Sequence, residues 1–403
     1  MFKKFALLVF GAGLLLILAP LVQADFTGLS KNLSISAGTD SVYPKVVHVQ
    51  GTTNVFVIWA EKVGTEDHLY FARSTDSGDN WSAPVVLRDS GQILERVNEL
   101  SDYYAYSLAV CESYIHVVMQ WRQDETDDFE IWYLRSPDLG VTWDSALPLT
   151  VNSTDSRYPD VVQGATRVHI TFVDSWPGND EIMYKRMPNC GGGAVDLTRR
   201  LSFSSTSSLY PRLAVSKSGQ TVNIVYQDNW TGQWNVFHKR VSNYGEGSYL
   251  TRQLTSGTEF NGYPDVATSS GADDQYVYFV YQALWPGNGE IMYKRLNDYG
   301  NVGASVYTAR LTYSDTESRS SSIDFDGTNN IVQISFHDAW PGNYDVMHRK
   351  LLDYGGAGFT AQRVSWGVGD SSHSNIAAGV GEAFIVWSDN TSGNYEIYIK
   401  KGS

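Results

Sequence analysis

Apolar and aromatic residues along this chain come in short runs, and each run ends at a turn rich in Gly, Asn or Pro. The runs Val168–Val173 and Val277–Tyr281 are rich in β-branched and aromatic residues, which favour β-strands. No long stretch rich in Ala, Leu, Glu and Lys lies between such runs, so the pattern argues against a helical protein. We therefore expect an all-β fold.

One pattern recurs seven times: a strand ends in an aromatic residue, a turn follows, and a second strand carries a cation. The strand-ending aromatic residues are Trp59, Trp121, Phe172, Tyr226, Tyr281, Phe336 and Trp387. The cation follows fourteen residues later, at Arg73, Arg135, Arg186, Arg240, Arg295, Lys350 and Lys401. Because the spacing is constant, we interpret the pattern as seven β-hairpins of one geometry.

Two further strands complete each repeat. A Tyr-Pro pair, as at Tyr210-Pro211, begins a strand before the hairpin, and a short Leu-Thr or Val-Ser strand, as at Leu254-Thr255, follows it. Four antiparallel strands in a unit of about 53 residues are typical of a β-propeller blade.

The chain therefore predicts one seven-bladed β-propeller domain over residues 25–403. The last repeat lacks a fourth strand, whereas a strand at 33–36 begins the chain without a partner. We expect this first strand to complete the last blade and close the ring, which removes exposed sheet edges. The predicted repeats span about 41–90, 101–150, 156–202, 208–255, 261–312, 319–365 and 372–401.

Residues 1–24 have the features of a secretory signal peptide. Lys3 and Lys4 precede the apolar run Phe5–Leu18, and small residues lead to a cleavage site after Ala24. The alternative is an uncleaved anchor. No later apolar run has membrane length, so we predict a secreted or cell-surface protein without a membrane span once this segment is removed. The net charge of −14 argues against nucleic-acid binding.

The chain has two cysteines, Cys111 and Cys190. An oxidising exterior would allow a bridge between them. We expect both in turns on the same side of neighbouring blades, but one on a central strand and the other on a peripheral strand. The pairing therefore stays open, and the expected separation argues against it because of the limited reach of a disulfide.

The segments Ser74–Trp81 and Ser136–Trp143 resemble the Asp-box turns, or BNR repeats, of bacterial-type sialidases and other secreted propeller proteins. Asp76 and Asp138 are expected to cap backbone amides of their own turns. The resemblance implies a propeller whose Asp-box turns are structural and lie opposite the active face. Sialidases of this type have six blades and an early Arg-Ile-Pro-like segment, whereas this chain has seven repeats and no such segment near its start.

We call the upper face the end of the propeller that collects the connections before the first strands and the hairpins between the second and third strands. The hairpins of blades 3–6 carry a Trp there, beside carboxylates and amides. An aromatic platform beside hydrogen-bonding groups suits stacking on a sugar ring. The alternative is that Trp-Pro-Gly plugs the gap between blades while Asp caps the turn. The candidate ligand-binding residues are Trp176, Trp230, Trp285, Trp340, Asp174, Asp228, Asp338, Asn179, Asn288 and Asn343.

A sialidase-like hydrolase would need arginines for the substrate carboxylate and a Tyr nucleophile supported by Glu. The candidates are Arg157, Arg212, Arg319 and Tyr210. The alternative is that each arginine pairs with a neighbouring acid, and that the repeated Tyr-Pro pairs serve packing.

A metal site is the third kind of candidate. Asp124, Asp127 and Asp128 lie in the second hairpin and could supply oxygen ligands to Ca²⁺. The alternative is an exposed acidic turn, and no other cofactor is expected.

Together these features predict a propeller that binds an extracellular glycan or glycoprotein at repeated Trp-bearing hairpins. Two alternatives remain open: a sialidase-like glycoside hydrolase with one central pocket, and a surface platform for protein–protein interaction.

Overall fold

The computed structural model describes residues 26–402 except 37, 97, 98, 177, 217, 270–275, 286, 302, 305 and 341. These residues form seven four-stranded antiparallel sheets, arranged as the blades of a β-propeller. The predicted seven-bladed fold is confirmed. The predicted signal peptide lies outside the described residues, and none of the helices within them is long and apolar enough to cross a membrane.

Each blade runs from an inner strand near the axis to an outer strand at the rim. Blade 1 consists of β2 Asp40–His48, β3 Val55–Val63, β4 Glu66–Ser74 and β5 Val85–Arg88. Blade 2 consists of β6 Tyr106–Cys111, β7 Tyr114–Trp121, β8 Glu130–Ser136 and β9 Leu147–Pro148. Blade 3 consists of β10 Ser156–Gly164, β11 Arg167–Asp174, β12 Glu181–Met187 and β13 Leu197–Arg200. Blade 4 consists of β14 Ser208–Val215, β15 Val222–Asp228, β16 Asn235–Val241 and β17 Tyr249–Gln253.

The remaining blades repeat this order. Blade 5 consists of β18 Asn261–Thr268, β19 Val277–Leu284, β20 Gly289–Leu296 and β21 Val306–Arg310. Blade 6 consists of β22 Ser318–Asp326, β23 Ile331–Asp338, β24 Asp345–Leu352 and β25 Ala357–Arg363. Blade 7 consists of β26 Ser371–Ala378, β27 Ala383–Asp389, β28 Glu396–Gly402 and the N-terminal β1 Lys31–Asn32. Short helical turns lie at Glu99–Asp102, Asn189–Gly191, Asn243–Gly245 and Asp298–Gly300.

The ring closes as expected, but the closing strand is shorter and lies earlier than 33–36. Lys31 pairs with Ile399 and Asn32 with Tyr398. The Asn32 side chain then accepts the backbone N–H groups of Ser34 and Ile35, at 3.1 and 3.2 Å. This local turn competes with the sheet ladder, so the strand ends at Asn32.

The Tyr-Pro pairs mark a β-bulge in the inner strands. Tyr43, Tyr158, Tyr210 and Tyr263 all have a positive φ between 50° and 56°. The register of each of these strands shifts at this point, as between Leu209 and Arg212 in blade 4. Proline has no N–H for the ladder, so a bulge is a site where a strand tolerates it.

The hairpin of blade 2 differs from the other six, which corrects the expectation of one common geometry. In blade 3, Asp174 pairs with Glu181 across the hairpin, and the five other blades pair their equivalent positions in the same way. In blade 2, Trp121 itself pairs with Glu130. Its hairpin is therefore two residues longer, and Met119 occupies the place of the strand-ending aromatic residue.

Cys111 and Cys190 form a disulfide, with their Cα atoms 5.6 Å apart, so the predicted separation is wrong. The segment after β12 folds back over the blade instead of continuing outwards. The Cys190 N–H donates to the Thr166 carbonyl at 2.8 Å, beside the turn between the two innermost strands of blade 3. Cys190 is therefore brought next to the end of β6 in blade 2.

Candidate functional site

The four predicted indoles of blades 3–6 are exposed on the upper face. The exposed fractions are 68% for Trp176, 65% for Trp230, 57% for Trp285 and 69% for Trp340. They do not plug the gaps between blades. Exposed aromatic surface that recurs at equivalent positions is typical of a binding surface rather than of packing.

The three aspartates of these hairpins fix the backbone that carries the indoles. The carboxylates of Asp174, Asp228 and Asp338 accept the backbone N–H of Trp176, Trp230 and Trp340 at 2.7, 2.6 and 2.7 Å. In blades 4 and 6 the second carboxylate oxygen accepts a serine hydroxyl at 2.7 Å. Blade 5 has Ala283 at this position and lacks the carboxylate.

The asparagines tie the hairpins to the loop that follows the fourth strand. The side-chain amide of Asn179 donates to the Thr206 carbonyl at 2.6 Å, and that of Asn288 donates to the Ser314 carbonyl at 3.0 Å. Asn343 donates to the Gly369 carbonyl in the same way. The candidate Asp and Asn residues therefore position the hairpins, whereas the indoles present free surface.

A second row of exposed aromatic residues, which was not predicted from the sequence, lies after the fourth strands. Phe203, Tyr313 and Trp366 are 64%, 69% and 70% exposed. Each ring lies under the guanidinium of an arginine three residues earlier, with centroid distances of 4.7, 4.6 and 4.4 Å for Arg200, Arg310 and Arg363. In blades 3, 5 and 6 an aromatic residue directly follows the Leu-Ser, Leu-Thr or Val-Ser pair, and this was the available sequence feature.

These arginines are themselves anchored by buried carboxylates. Arg200 pairs with Glu181 and Arg310 with Glu290, both at 2.6 Å, and Arg363 pairs with Asp345. The three carboxylates have no exposed side-chain surface. Each ring of the second row is thus in contact with an arginine whose own position is fixed by a buried carboxylate.

The two rows meet in a cleft between blades 3 and 4, which we call the Phe203–Trp230 cleft. It has a volume of about 320 Å³. Blade 3 lines it with Ser202, Phe203 and Ser204, and blade 4 with Tyr226, Asp228, Trp230, Phe237, Lys239, Tyr249 and Thr251. It is wide enough for one or two sugar rings and has aromatic groups on both sides.

The three candidate arginines are each paired with carboxylates. Arg157 lies 3.2 Å from Asp180 and 3.4 Å from Glu95. Arg319 pairs with Glu317. Both arginines therefore pair with neighbouring acids, which is one of the two alternatives that the sequence offered.

Arg212 is separated from the other two arginines. It is buried, pairs with Asp160 at 3.3 Å, and lines an axial cavity of about 180 Å³ together with Lys45 and Asp265. Neither Arg157 nor Arg319 lines that cavity. The structure therefore does not bring the three arginines together there.

Tyr210 belongs to a stack of aromatic rings around the axis. Its ring centroid lies 4.7 Å from that of Tyr158 and 5.2 Å from that of Tyr263. Burial raises the pKa of Tyr210. Its neighbour Tyr158 has the contact expected of a Tyr nucleophile, because its hydroxyl donates to Glu95 at 2.9 Å.

Two tyrosines from the segment before β6 fill the axis at the upper end. The Tyr103 hydroxyl donates to the Ser374 carbonyl of blade 7 at 2.8 Å. The Tyr104 hydroxyl donates to the Pro264 carbonyl of blade 5 at 3.2 Å. Both rings are buried, and Lys45 and Arg212 lie against them from the cavity side. This aromatic plug occupies the place of a pocket that would open along the axis onto the upper face.

In the acidic hairpin of blade 2, an aspartate accepts hydrogen bonds from its own turn. Asp124 accepts both the N–H and the hydroxyl of Thr126, at 2.8 and 2.6 Å. Over the described residues, no cluster of three or more His, Cys, Asp or Glu side chains could hold a metal ion, so Asp124, Asp127 and Asp128 do not form one. Ca²⁺ binding stays a prediction.

The two turns that resemble Asp boxes have the expected contacts at the opposite end of the blades. Asp76 accepts the Asn80 N–H at 2.8 Å, and Asp138 accepts the Thr142 N–H at 2.8 Å. Hydrogen bonds from the backbone and side-chain amides of Asn80, and from the Ser74 hydroxyl, lower the pKa of Asp76 to about 2. Trp143 packs edge-on against Phe71.

Comparison with solved structures shows the fold. The K499G mutant of NanB sialidase from Streptococcus pneumoniae has a TM-score of 0.52 and 11% identity, over 77% of this chain and 68% of that one. Phage phi92 endosialidase has the same TM-score and identity, over 94% and 69% of the two chains. Penicillium chrysogenum α-L-arabinanase, complexed with arabinobiose, has a TM-score of 0.50 and 12% identity, over 93% and 98%.

This chain therefore has a β-propeller fold similar to that of sialidases. No protein-family model matches it, and no curated protein does.

Proposed function

We propose that this protein is an exported propeller that binds extracellular glycans at the Trp-bearing hairpins of its upper face. The observation that carries the proposal is the exposure of four indoles at equivalent positions, on hairpins held by aspartate and asparagine side chains. Indole faces stack on the C–H-rich faces of sugar rings, and a preordered hairpin reduces the entropy lost on binding.

Several weak sites on one face would act together. A glycan with repeated units, or a surface that displays many copies, can engage more than one hairpin, and linked binding raises the overall affinity. The neighbours named as sialidases and as an arabinanase with arabinobiose act on glycans, which is consistent with this proposal.

A glycan array probed with wild-type protein and with Trp→Ala variants tests the proposal. We expect each of Trp176→Ala, Trp230→Ala, Trp285→Ala and Trp340→Ala to weaken binding in a step, and the fourfold variant to abolish it. Val141→Ala is the matched control, because Val141 is 60% exposed but lies in a turn at the opposite end of blade 2. Full binding by the fourfold variant would refute the proposal.

A sialidase-like glycoside hydrolase is the second candidate. The observation that favours it is the Tyr158 hydroxyl bound to Glu95, with Arg157 beside both. In this case Glu95 would accept the proton of Tyr158 as the tyrosine attacks the sugar. Tyr158 is buried, so substrate would have to reach it past the aromatic plug.

Turnover of a fluorogenic sialoside separates the two candidates. The hydrolase predicts turnover that Tyr158→Phe abolishes and Trp340→Ala leaves intact. The binding protein predicts array binding without turnover. A platform for protein partners predicts neither.

A further inference from the structure

The Phe203–Trp230 cleft combines exposed aromatic walls with a buried cation. Lys239 on β16 is 3% exposed and lines the cleft. Its ammonium donates to the Leu201 carbonyl of blade 3 and lies 4.2 Å from the centre of the Tyr249 ring. An ammonium has three donors, and this carbonyl accepts one of them.

The surroundings of Lys239 are locally positive. Arg199 lies against the same Tyr249 ring, with a centroid distance of 5.5 Å, and Arg200 stacks on Phe203. The nearby carboxylates are already engaged: Glu181 pairs with Arg200, and Asp228 accepts the Trp230 N–H and the Ser208 hydroxyl. Three cations thus face two carboxylates, in a chain whose net charge is −14.

The blades with an upper-face indole also share a cation at one equivalent strand position. A basic residue occupies the strand position of Lys239 in each of blades 3–7, at Lys185, Lys239, Lys294, Arg349 and Lys400. Blades 1 and 2 have Ala72 and Leu134 there, and neither has an exposed indole in its hairpin. Every blade with an upper-face indole therefore also has this cation.

Burying a lysine is unfavourable unless an anion or several acceptors meet it. A carboxylate does so through a charge-assisted hydrogen bond, which is stronger than a bond between neutral groups. Ser202 and Ser204 on the opposite wall already donate their hydroxyls to Glu181 and Asp228, so the ammonium of Lys239 is the donor that the cleft offers to a ligand.

We infer that the Phe203–Trp230 cleft binds a carboxylated sugar residue of an acidic oligosaccharide. The sugar ring lies between Phe203 and Trp230, and its carboxylate reaches Lys239. This inference rests on the proposed glycan binding and adds the class of sugar. The negative charge of the rest of the chain repels long polyanions, so short hexuronate segments are the preferred ligands.

The test compares hexuronate trimers of galacturonate, glucuronate and mannuronate with their neutral methyl esters by isothermal titration calorimetry. We expect wild-type protein to bind at least one acid about tenfold more tightly than its ester, as one charge-assisted bond would give. Lys239→Gln should reduce that ratio to near one, through weaker binding of the acid. Lys239→Arg should keep the preference.

Lys401→Gln is the matched control, because Lys401 pairs with Glu382 far from the upper face and its loss should change nothing. Thermal unfolding checks that each variant is folded. An equal affinity of wild-type protein for acid and ester, or no binding of either, overturns the inference. The proposed function is judged separately, by whether array binding is lost in the fourfold Trp variant, so its failure can be distinguished from failure of the inference.

Discussion

Blade 2 and blade 4 share the same four-strand frame and differ almost entirely at their upper ends. Blade 4 has a bulged inner strand at Tyr210, the exposed Trp230 on its hairpin, and Lys239 below it. Blade 2 has an inner strand that pairs without a shift in register, a hairpin longer by two residues, and Leu134 in place of the lysine. The strands keep the ring intact, and the blades differ in their connections and at the one strand position that holds Lys239 or Leu134.

The comparison also shows where a ligand can reach the molecule. The segment before β6 sends Tyr103 and Tyr104 across the axis to blades 7 and 5. Blade 2 therefore closes the centre of the upper face. Blades 3–6 leave their indoles at the periphery, so binding is expected between blades rather than on the axis.

Both blades contain a buried histidine, and for this reason acid should lower the stability of the fold. This is the largest effect we expect. Burial lowers the pKa of His116 in blade 2 and of His238 in blade 4 to about 3, and the same holds for His169, His337 and His348. Below about pH 6.5 the unfolded chain binds protons that the fold excludes. Stability should fall by up to about 1.4 kcal/mol per pH unit for each histidine.

Buried carboxyl groups act in the opposite direction. Burial raises the pKa of Asp102 and Asp324 to about 6, and it also raises the pKa of Glu95, Glu130, Asp228, Asp265 and Asp345, so their protonation favours the fold as the pH falls. We expect the histidines to outweigh them above pH 5, because the unfolded chain protonates its histidines from about pH 6.5 downwards. Urea unfolding at pH 7, 6 and 5 measures the net slope, and His116→Gln should make it shallower. A stability that is constant down to pH 5 would contradict the prediction.

Truncating one aromatic side chain in each blade should distinguish a ring that packs in the core from a ring that belongs to the exposed surface. Tyr104→Ala removes a buried ring from the axial plug and should lower the free energy of unfolding by about 3–5 kcal/mol. Trp230→Ala removes an exposed ring and should change it by no more than about 0.5 kcal/mol. Urea denaturation measures both. Similar losses for the two variants would mean that the indole packs in solution.

The disulfide connects blade 2 to blade 3, and its removal tests whether the upper face depends on that connection. The bridge closes a loop across a sequence separation of 79 residues. The double variant Cys111→Ala/Cys190→Ala should lose about 2–4 kcal/mol of stability. Glycan binding by the folded double variant should be unchanged, because both cysteines lie at the end of the blades opposite the hairpins. Loss of binding would show that the two ends are coupled.

The repeat spacing was enough to predict the blades, their number and the closure of the ring. It was misleading in blade 2, because Trp121 lies where the pattern places an aromatic residue while Met119 holds the equivalent position in the sheet. The spacing pattern could not detect the two extra hairpin residues, because Trp121 supplies an aromatic residue at the position where the pattern requires one.

Other features depend on contacts between distant segments. Tyr103 and Tyr104 have no counterpart in the other repeats, and the path that brings Cys190 to Cys111 depends on a backbone contact with Thr166. The sequence also did not determine whether the indoles are exposed, because the Trp-bearing turns could have packed between blades. The capping role of the aspartates was one of two alternatives that the sequence offered, and the hydrogen bonds to the Trp amides select it.

The smallest expected effect concerns the carboxylate that accepts the backbone N–H of the hairpin indole, a group that blade 4 has and blade 2 lacks. Asp228→Ala removes the acceptor of the Trp230 N–H and should cost about 1 kcal/mol of stability and two- to threefold in glycan affinity, because the indole loses its fixed orientation. In a Trp230→Ala background the same change should have no further effect on binding, since the aspartate acts only through the indole. Gln123→Ala, at the position in blade 2 that spacing alone equates with Asp228, should change neither stability nor binding. An affinity loss that persists without the indole would instead place Asp228 in direct contact with the sugar.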